Sequence, residues 1–140
     1  MTLRWTALPK YYALEQPLII QASGSNLIAL TWKGSGINAD FIIPGESETA
    51  LRVHFKKTDI VRILDEFALS TEEDVEKSGL VSKHFAYLVE DSLFWKSQSE
   101  AFKIVSNKVR HYRFVTGWNC LDVISSVEPN MSVVARSPII

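Results

Sequence analysis

His111, Arg113, Cys120 and Asp122 fall within twelve residues in the stretch HYRFVTGWNCLDVISS, residues 111–126. A thiol, an imidazole and a carboxylate are the parts of a nucleophile, its base and an orienting acid. Spacing decides against that use. A two-residue turn at Gly117-Trp118, with Gly117 at positive φ as a type II′ turn requires, sets Val115 opposite Cys120, Arg113 opposite Asp122 and His111 opposite Ile124. Cys120 and His111 then lie roughly four residues apart along paired strands, on the order of 13 Å, too far for a hydrogen bond. In the same register Arg113 and Asp122 form a cross-strand ion pair, Cys120 is a small apolar residue, and His111 sits at a strand start within reach of solvent. The stretch reads as a structural hairpin with an inert thiol. Its second face (Tyr112, Phe114, Leu121, Val123) belongs to a core.

Other candidate chemistry is thinner. GSGINA, residues 34–39, has the glycine spacing of a dinucleotide loop, but Pro44 follows too soon for the helix that must meet a pyrophosphate. His54, His84 and His111 lie far apart and in no metal-ligand spacing, and one cysteine cannot build a cysteine cluster or an intramolecular disulfide. TEED, residues 71–74, lacks the alternating ligands of a calcium loop and reads as a solvated acidic turn. Asp65-Glu66 and Glu90-Asp91 are neighbours that a strand turns to opposite faces, so neither pair is an acid–base dyad. No metal or cofactor is expected.

Two groups of residues remain as binding candidates. Arg52, His54, Arg62, His111, Arg113 and Asp122 occupy the polar sides of alternating strands; brought together, they would make a patch for an anionic ligand. Trp118 stands at a hairpin tip, where an indole should be covered by something, and Trp5, Tyr11 and Tyr12 form a similar aromatic group near the N-terminus. These four are candidates for an interaction surface.

The elements that would position these groups are mostly strands. PLIIQASGSNLIALTW suggests a hairpin around Ser23–Asn26, ADFIIP a short strand, and ALRVHF alternates cleanly with Leu51, Val53 and Phe55 on one side. TDIVRILDEF fits a helix by spacing but is rich in β-branched residues, which favours a strand. LSTEEDVEKSG reads as an exposed loop, and HFAYLVE and MSVVA as strands. Residues 92–106 carry the main helix, capped by Asp91 or Ser92, with Phe94, Gln98, Ala101, Phe102 and Val105 in a stripe and Asn107 as its stop. About seven to nine strands and one main helix, without regular alternation of the two, predict a single α+β domain over 1–140, mostly antiparallel sheet with the helix packed on it.

Composition narrows function further. Of 140 residues, 46% are apolar and 22% charged, which is ordinary for a folded domain. The net charge is −1 and the basic residues are scattered, so nucleic acid is not an expected partner. No apolar run is long enough to cross a membrane, and no export signal opens the sequence, which predicts a soluble cytoplasmic protein. The expectation is a non-catalytic binding protein. Its partner would be a protein, including a second copy of itself as a homo-oligomer; the alternative is an anionic small molecule, with or without turnover, on the Arg and His face.

Overall fold

The computed structural model describes residues 7–106 and 108–136. It contains nine strands in two antiparallel sheets, with three short helices, so the α+β expectation holds. One sheet runs in the order β1 (Lys10–Ala13), β6 (Ala86–Glu90), β7 (Arg110–Phe114), β8 (Asn119–Ser125), β5 (Ile60–Asp65). The other runs β2 (Leu27–Lys33), β3 (Gly36–Ile42), β4 (Thr49–Phe55), β9 (Asn130–Ala135). We call them the five-stranded and four-stranded sheets.

Alternation along the strands supplies one shared core between the sheets. Leu51, Val53 and Phe55 from β4 meet Tyr112 and Phe114 from β7 and Leu121 and Val123 from β8. Phe114 touches three other rings, Phe41, Phe55 and Phe85, with centroids 5.8, 6.1 and 5.9 Å away. Tilted and edge-on packing of this kind adds to the area that the rings bury.

The β7–β8 hairpin has the predicted register: Arg113 faces Asp122 and His111 faces Ile124. Its turn is different. The glycines at positive φ are Gly34, Gly45 and Gly79, not Gly117, so the turn is not type II′. Thr116 closes it instead: its hydroxyl donates to the Asn119 carbonyl at 2.8 Å and accepts from the Trp118 N–H at 3.0 Å. Gly117 is required for room, because a Cβ there would lie 2.5 Å from the Ser23 carbonyl oxygen.

Three other expectations need correction. Residues 17–26 do not form a hairpin arm; a 3-10 turn occupies Ala22–Gly24, and the real hairpin joins β2 to β3 at Gly34, inside the glycine-rich stretch. The acidic stretch after β5 is not all loop. Asp65 accepts from the Phe67 N–H at 2.7 Å and starts α1 (Glu66–Glu72), the longest helix. The helix expected over residues 92–106 is split into α2 (Leu93–Lys96) and α3 (Glu100–Val105). Ser97 and Gln98 both donate side-chain hydrogen bonds to the Phe94 carbonyl, at 2.8 and 2.9 Å, competing for the acceptor that a continuing helix would use. Ser99 then caps α3 by accepting from Phe102 N–H at 3.1 Å. Asn107, the expected stop, lies outside the described residues, as does Trp5.

Candidate functional site

The outer face of the five-stranded sheet carries the polar side of the hairpin, and it is not open. Asp122 is its hub and is fully buried. One carboxylate oxygen accepts from Arg113 Nε at 2.8 Å and from His111 Nε2 at 2.7 Å. The other accepts from Arg62 Nη2 at 2.7 Å and Nε at 3.1 Å, and more distantly from Arg113 Nη2. Arg62 reaches outward to grip Glu72 of α1 with two bonds, 2.9 and 2.7 Å. Its guanidinium also lies 3.9 Å from the centre of the Phe94 ring, close enough for a cation–π contact.

A second carboxylate completes the cluster. Glu73, just past the end of α1, is buried and accepts from Arg113 Nη1 at 2.9 Å and from the Tyr11 hydroxyl. The same Nη1 donates to the Tyr11 oxygen at 2.7 Å. On the opposite flank, His111 Nδ1 meets Ser92 Oγ at 2.7 Å, and Ser92 caps α2 by accepting from the Trp95 N–H at 3.0 Å. Four segments of the chain, at Tyr11, Arg62, Glu73 and Ser92, are therefore tied to three residues of one hairpin, His111, Arg113 and Asp122.

The electrostatics follow from that closure. Burial opposes ionisation of Asp122, but the hydrogen bond from His111 and the charge and hydrogen bonds of Arg113 outweigh it and hold the carboxyl well below the usual range. Burial also works against the Arg113 charge, and Asp122 more than compensates, so the guanidinium stays protonated. Tyr11 is pushed up, by burial first, against the pull of Arg113. Burial depresses His111, with Asp122 opposing the shift only in part. A neutral imidazole fits the bonding: Nε2–H donates to Asp122, and Nδ1 accepts from the Ser92 hydroxyl, whose oxygen is taken by Trp95 N–H.

A depressed imidazole has a signed consequence. Between the ordinary value of 6.5 and its lower folded value, His111 binds a proton in the unfolded chain but not in the folded one. This contribution to stability is complete above pH 6.5 and shrinks as pH falls through that window. Urea unfolding from pH 8 to 5 should therefore show falling stability, and His111→Gln should flatten the slope while lowering the whole curve. A flat wild-type profile would contradict a buried neutral His111.

Ser92, His111 and Asp122 form a hydrogen-bonded chain with the composition of an acyl-transfer relay. It has no room to act. Ser92 is fully buried, its oxygen caps a helix, and a reacting carbonyl could not approach it. Cys120 is equally enclosed: burial pushes its thiol up, and its sulfur accepts from Thr116 N–H at 3.4 Å. Among the described residues, no three His, Cys, Asp or Glu groups converge as metal ligands.

The predicted anion patch separates into two places. His111, Arg113, Asp122 and Arg62 share the cluster, whereas Arg52 and His54 lie on the outer face of the other sheet. There Arg52 forms two bonds to Asp40, at 2.8 and 3.0 Å, and His54 Nδ1 meets Asn38 Oδ1 at 2.8 Å. His111, expected at a wet strand end, is buried, and the Arg113–Asp122 pair is internal. Tyr11, expected on an interaction surface, is buried in the cluster, while Tyr12 is exposed and donates to Glu90. Trp118 is exposed at the hairpin tip, with no part of the described chain covering it fully.

Sequence reading missed Glu73 and Ser92 as members of the cluster. Glu73 carried no local sign, since TEED looks solvated and the burial comes from β1 and α2. Ser92 was visible only as a helix cap. One open cavity, of 560 Å³, sits away from the cluster, between the sheets at Leu14, Gln16, Leu88, Tyr112 and Met131. Two smaller ones border the cluster: one of 350 Å³ by His111, Asp91 and Trp95, and one of 210 Å³ by Tyr11, Glu73 and Leu69.

Fold and site together define an antiparallel two-sheet protein whose buried charged cluster holds helices to one sheet. No protein-family model matches the sequence, and comparison with curated proteins and solved structures gives no match.

Proposed function

We propose that this protein acts by binding another protein, without catalysis, and that the tip of the β7–β8 hairpin anchors the contact. One observation carries the reading. Trp118 is 56% exposed and Phe67 76% exposed, and their backbones come close, because the Trp118 carbonyl accepts from the N–H of Glu66, the residue before Phe67, at 2.7 Å. Ile63, 47% exposed on the adjoining edge of β5, borders a shallow apolar recess with Ile28 and Leu30. An indole and a phenyl ring flanked by aliphatic side chains have the composition of a contact hot spot.

The anionic-ligand alternative has less support. Arg62, Arg113 and Arg52 already hold carboxylates, so an incoming anion would have to displace an internal one. Among the described residues, no helix is long and apolar enough to cross a membrane. A free, buried Cys120 suits a reducing compartment, which supports a cytoplasmic location.

Trp118→Ala tests the anchor. The ring is half exposed, so unfolding in urea should change by less than about 0.5 kcal/mol. Binding should weaken by about 2 kcal/mol or more, the usual signature of a central aromatic. In an extract of the source cells, immobilised wild-type protein should retain a discrete protein that Trp118→Ala and Phe67→Ser both release. A large loss of stability with no change in retention would place the indole in the fold instead.

A further inference from the structure

The two sheets have four edge strands, β1, β5, β2 and β9, and three of them are blunted in ways that discourage pairing with another chain. The free side of β1 is occupied: Tyr11 N–H donates to the Ser78 carbonyl at 2.8 Å and Ser78 bridges Lys10. Gly79 permits that approach, since a Cβ there would collide with the Tyr11 carbonyl. β2 carries a bulge between Leu27 and Ala29 and ends in Lys33. β5 holds Arg62 and Asp65 and turns into α1.

β9 has none of these devices. Its sequence, NMSVVA, contains no charge, proline or glycine, and it keeps an unbroken register of six pairs with β4, from Asn130 opposite His54 to Ala135 opposite Thr49. Among the described residues, no strand pairs with its outer edge. Met131 and Val133 stand opposite Val53 and Leu51, so they point to the core side, yet Val133 is 47% exposed. The intersheet core therefore continues to an open rim.

We propose that β9 pairs with β9 of a second copy, antiparallel about a two-fold axis at Ser132, joining two four-stranded sheets into one of eight strands. In an antiparallel self-pairing, opposed positions sum to a constant. With Ser132 on the axis, Met131 meets Val133 of the second copy on the core side, and Asn130 meets Val134 on the outer side. Just beyond the strand ends, Glu128 falls opposite Arg136 of the second copy, and this happens twice. Glu128 sits beside Arg110 and Tyr112 at the cavity between the sheets, and Arg136 just past the other end of β9, so each side chain would turn to the shared edge to pair. Among the described residues neither is strongly committed: Glu128 has Arg110, at 3.8 Å, and the Arg136 side chain has the Glu46 carbonyl at 3.3 Å. Neutral residues at the centre and opposite charges at both ends make this edge complementary to itself. The inference deepens the proposed contact role by naming a second copy as a partner, but it uses a different edge from Trp118, so either can fail alone.

Sedimentation equilibrium of the full chain tests it. The wild-type protein should reach twice its 15.8 kDa mass. Ser132→Lys sets two like charges on the axis and should give a monomer with an unaltered circular dichroism spectrum. Glu128→Arg should weaken the dimer about tenfold or more, and adding Arg136→Glu should restore it. This charge exchange also decides the matter if Ser132→Lys does not fold. Trp118→Ala should remain dimeric. A wild-type monomer, a dimer that survives Ser132→Lys, a charge exchange that fails to restore association, or a dimer abolished by Trp118→Ala would each overturn the proposal.

Discussion

Arg113→Met should destabilise the protein by about 3–5 kcal/mol, the cost of breaking a buried ion pair from one side. Methionine fills much of the same volume and bends to fit, so the loss would reflect charge and hydrogen bonding more than a cavity. Arg113 holds Asp122 and Glu73 at once and also donates to Tyr11. Without it, Glu73 retains only the Tyr11 hydroxyl and a weak bond from Leu93 N–H at 3.3 Å, while staying inside the fold. Urea unfolding should show a lower midpoint with an unchanged slope. A loss under about 1 kcal/mol would mean the pair is worth no more than an exposed one.

For Asp122→Asn we expect a loss of similar size, again about 3–5 kcal/mol, although the side chain keeps its shape. The carboxylate accepts from Arg62, Arg113 and His111 together. An amide has one acceptor oxygen, and its nitrogen would face donors on whichever side it turned. The two substitutions should not add. With Arg113→Met and Asp122→Asn combined, the residual charge mismatch is partly removed, and the loss should fall short of the sum by more than about 0.5 kcal/mol. Additivity would show that the two side chains do not act as one unit. Acid should act in the same direction as Asp122→Asn: because the folded carboxyl lies below its ordinary value of 3.8, its contribution is lost as pH falls beneath that value.

The pairing of the hairpin was legible in the sequence, and its depth was not. Alternation of Tyr112, Phe114, Leu121 and Val123 chose the core face, and the opposed charges of Arg113 and Asp122 agreed with the register. Whether the other face meets water depends on residues 66–79 and 92–106, which cover it from distant parts of the chain. Nothing near His111 or Arg113 announces that cover. The same separation hid Glu73, which stands in an acidic run whose neighbours Glu72 and Asp74 are exposed.

The helix break was closer to view. Ser97 and Ser99 are residues that bond their own backbone and cap helices, yet a hydrophobic stripe running through them outweighed that sign. Gly117 misled for a related reason. Its type fits a turn with positive φ, but the local sequence holds no trace of the Ser23 carbonyl packed against it. Local pattern set strand pairing here, and long-range packing decided which polar residues were removed from use.

The central claim is a division of labour: the buried cluster holds the fold, and the exposed hairpin tip makes the contact. Retention of the bound protein by Ser92→Ala and Trp118→Ala, compared side by side with wild type, tests it most directly. Ser92→Ala removes a helix cap and the hydroxyl of the Ser–His–Asp chain, at a cost of about 1 kcal/mol in stability, and should retain the bound protein fully. Trp118→Ala should keep its stability and lose retention. If Ser92→Ala abolished retention while folded and Trp118→Ala preserved it, the cluster would be the functional site and the division proposed here would be wrong.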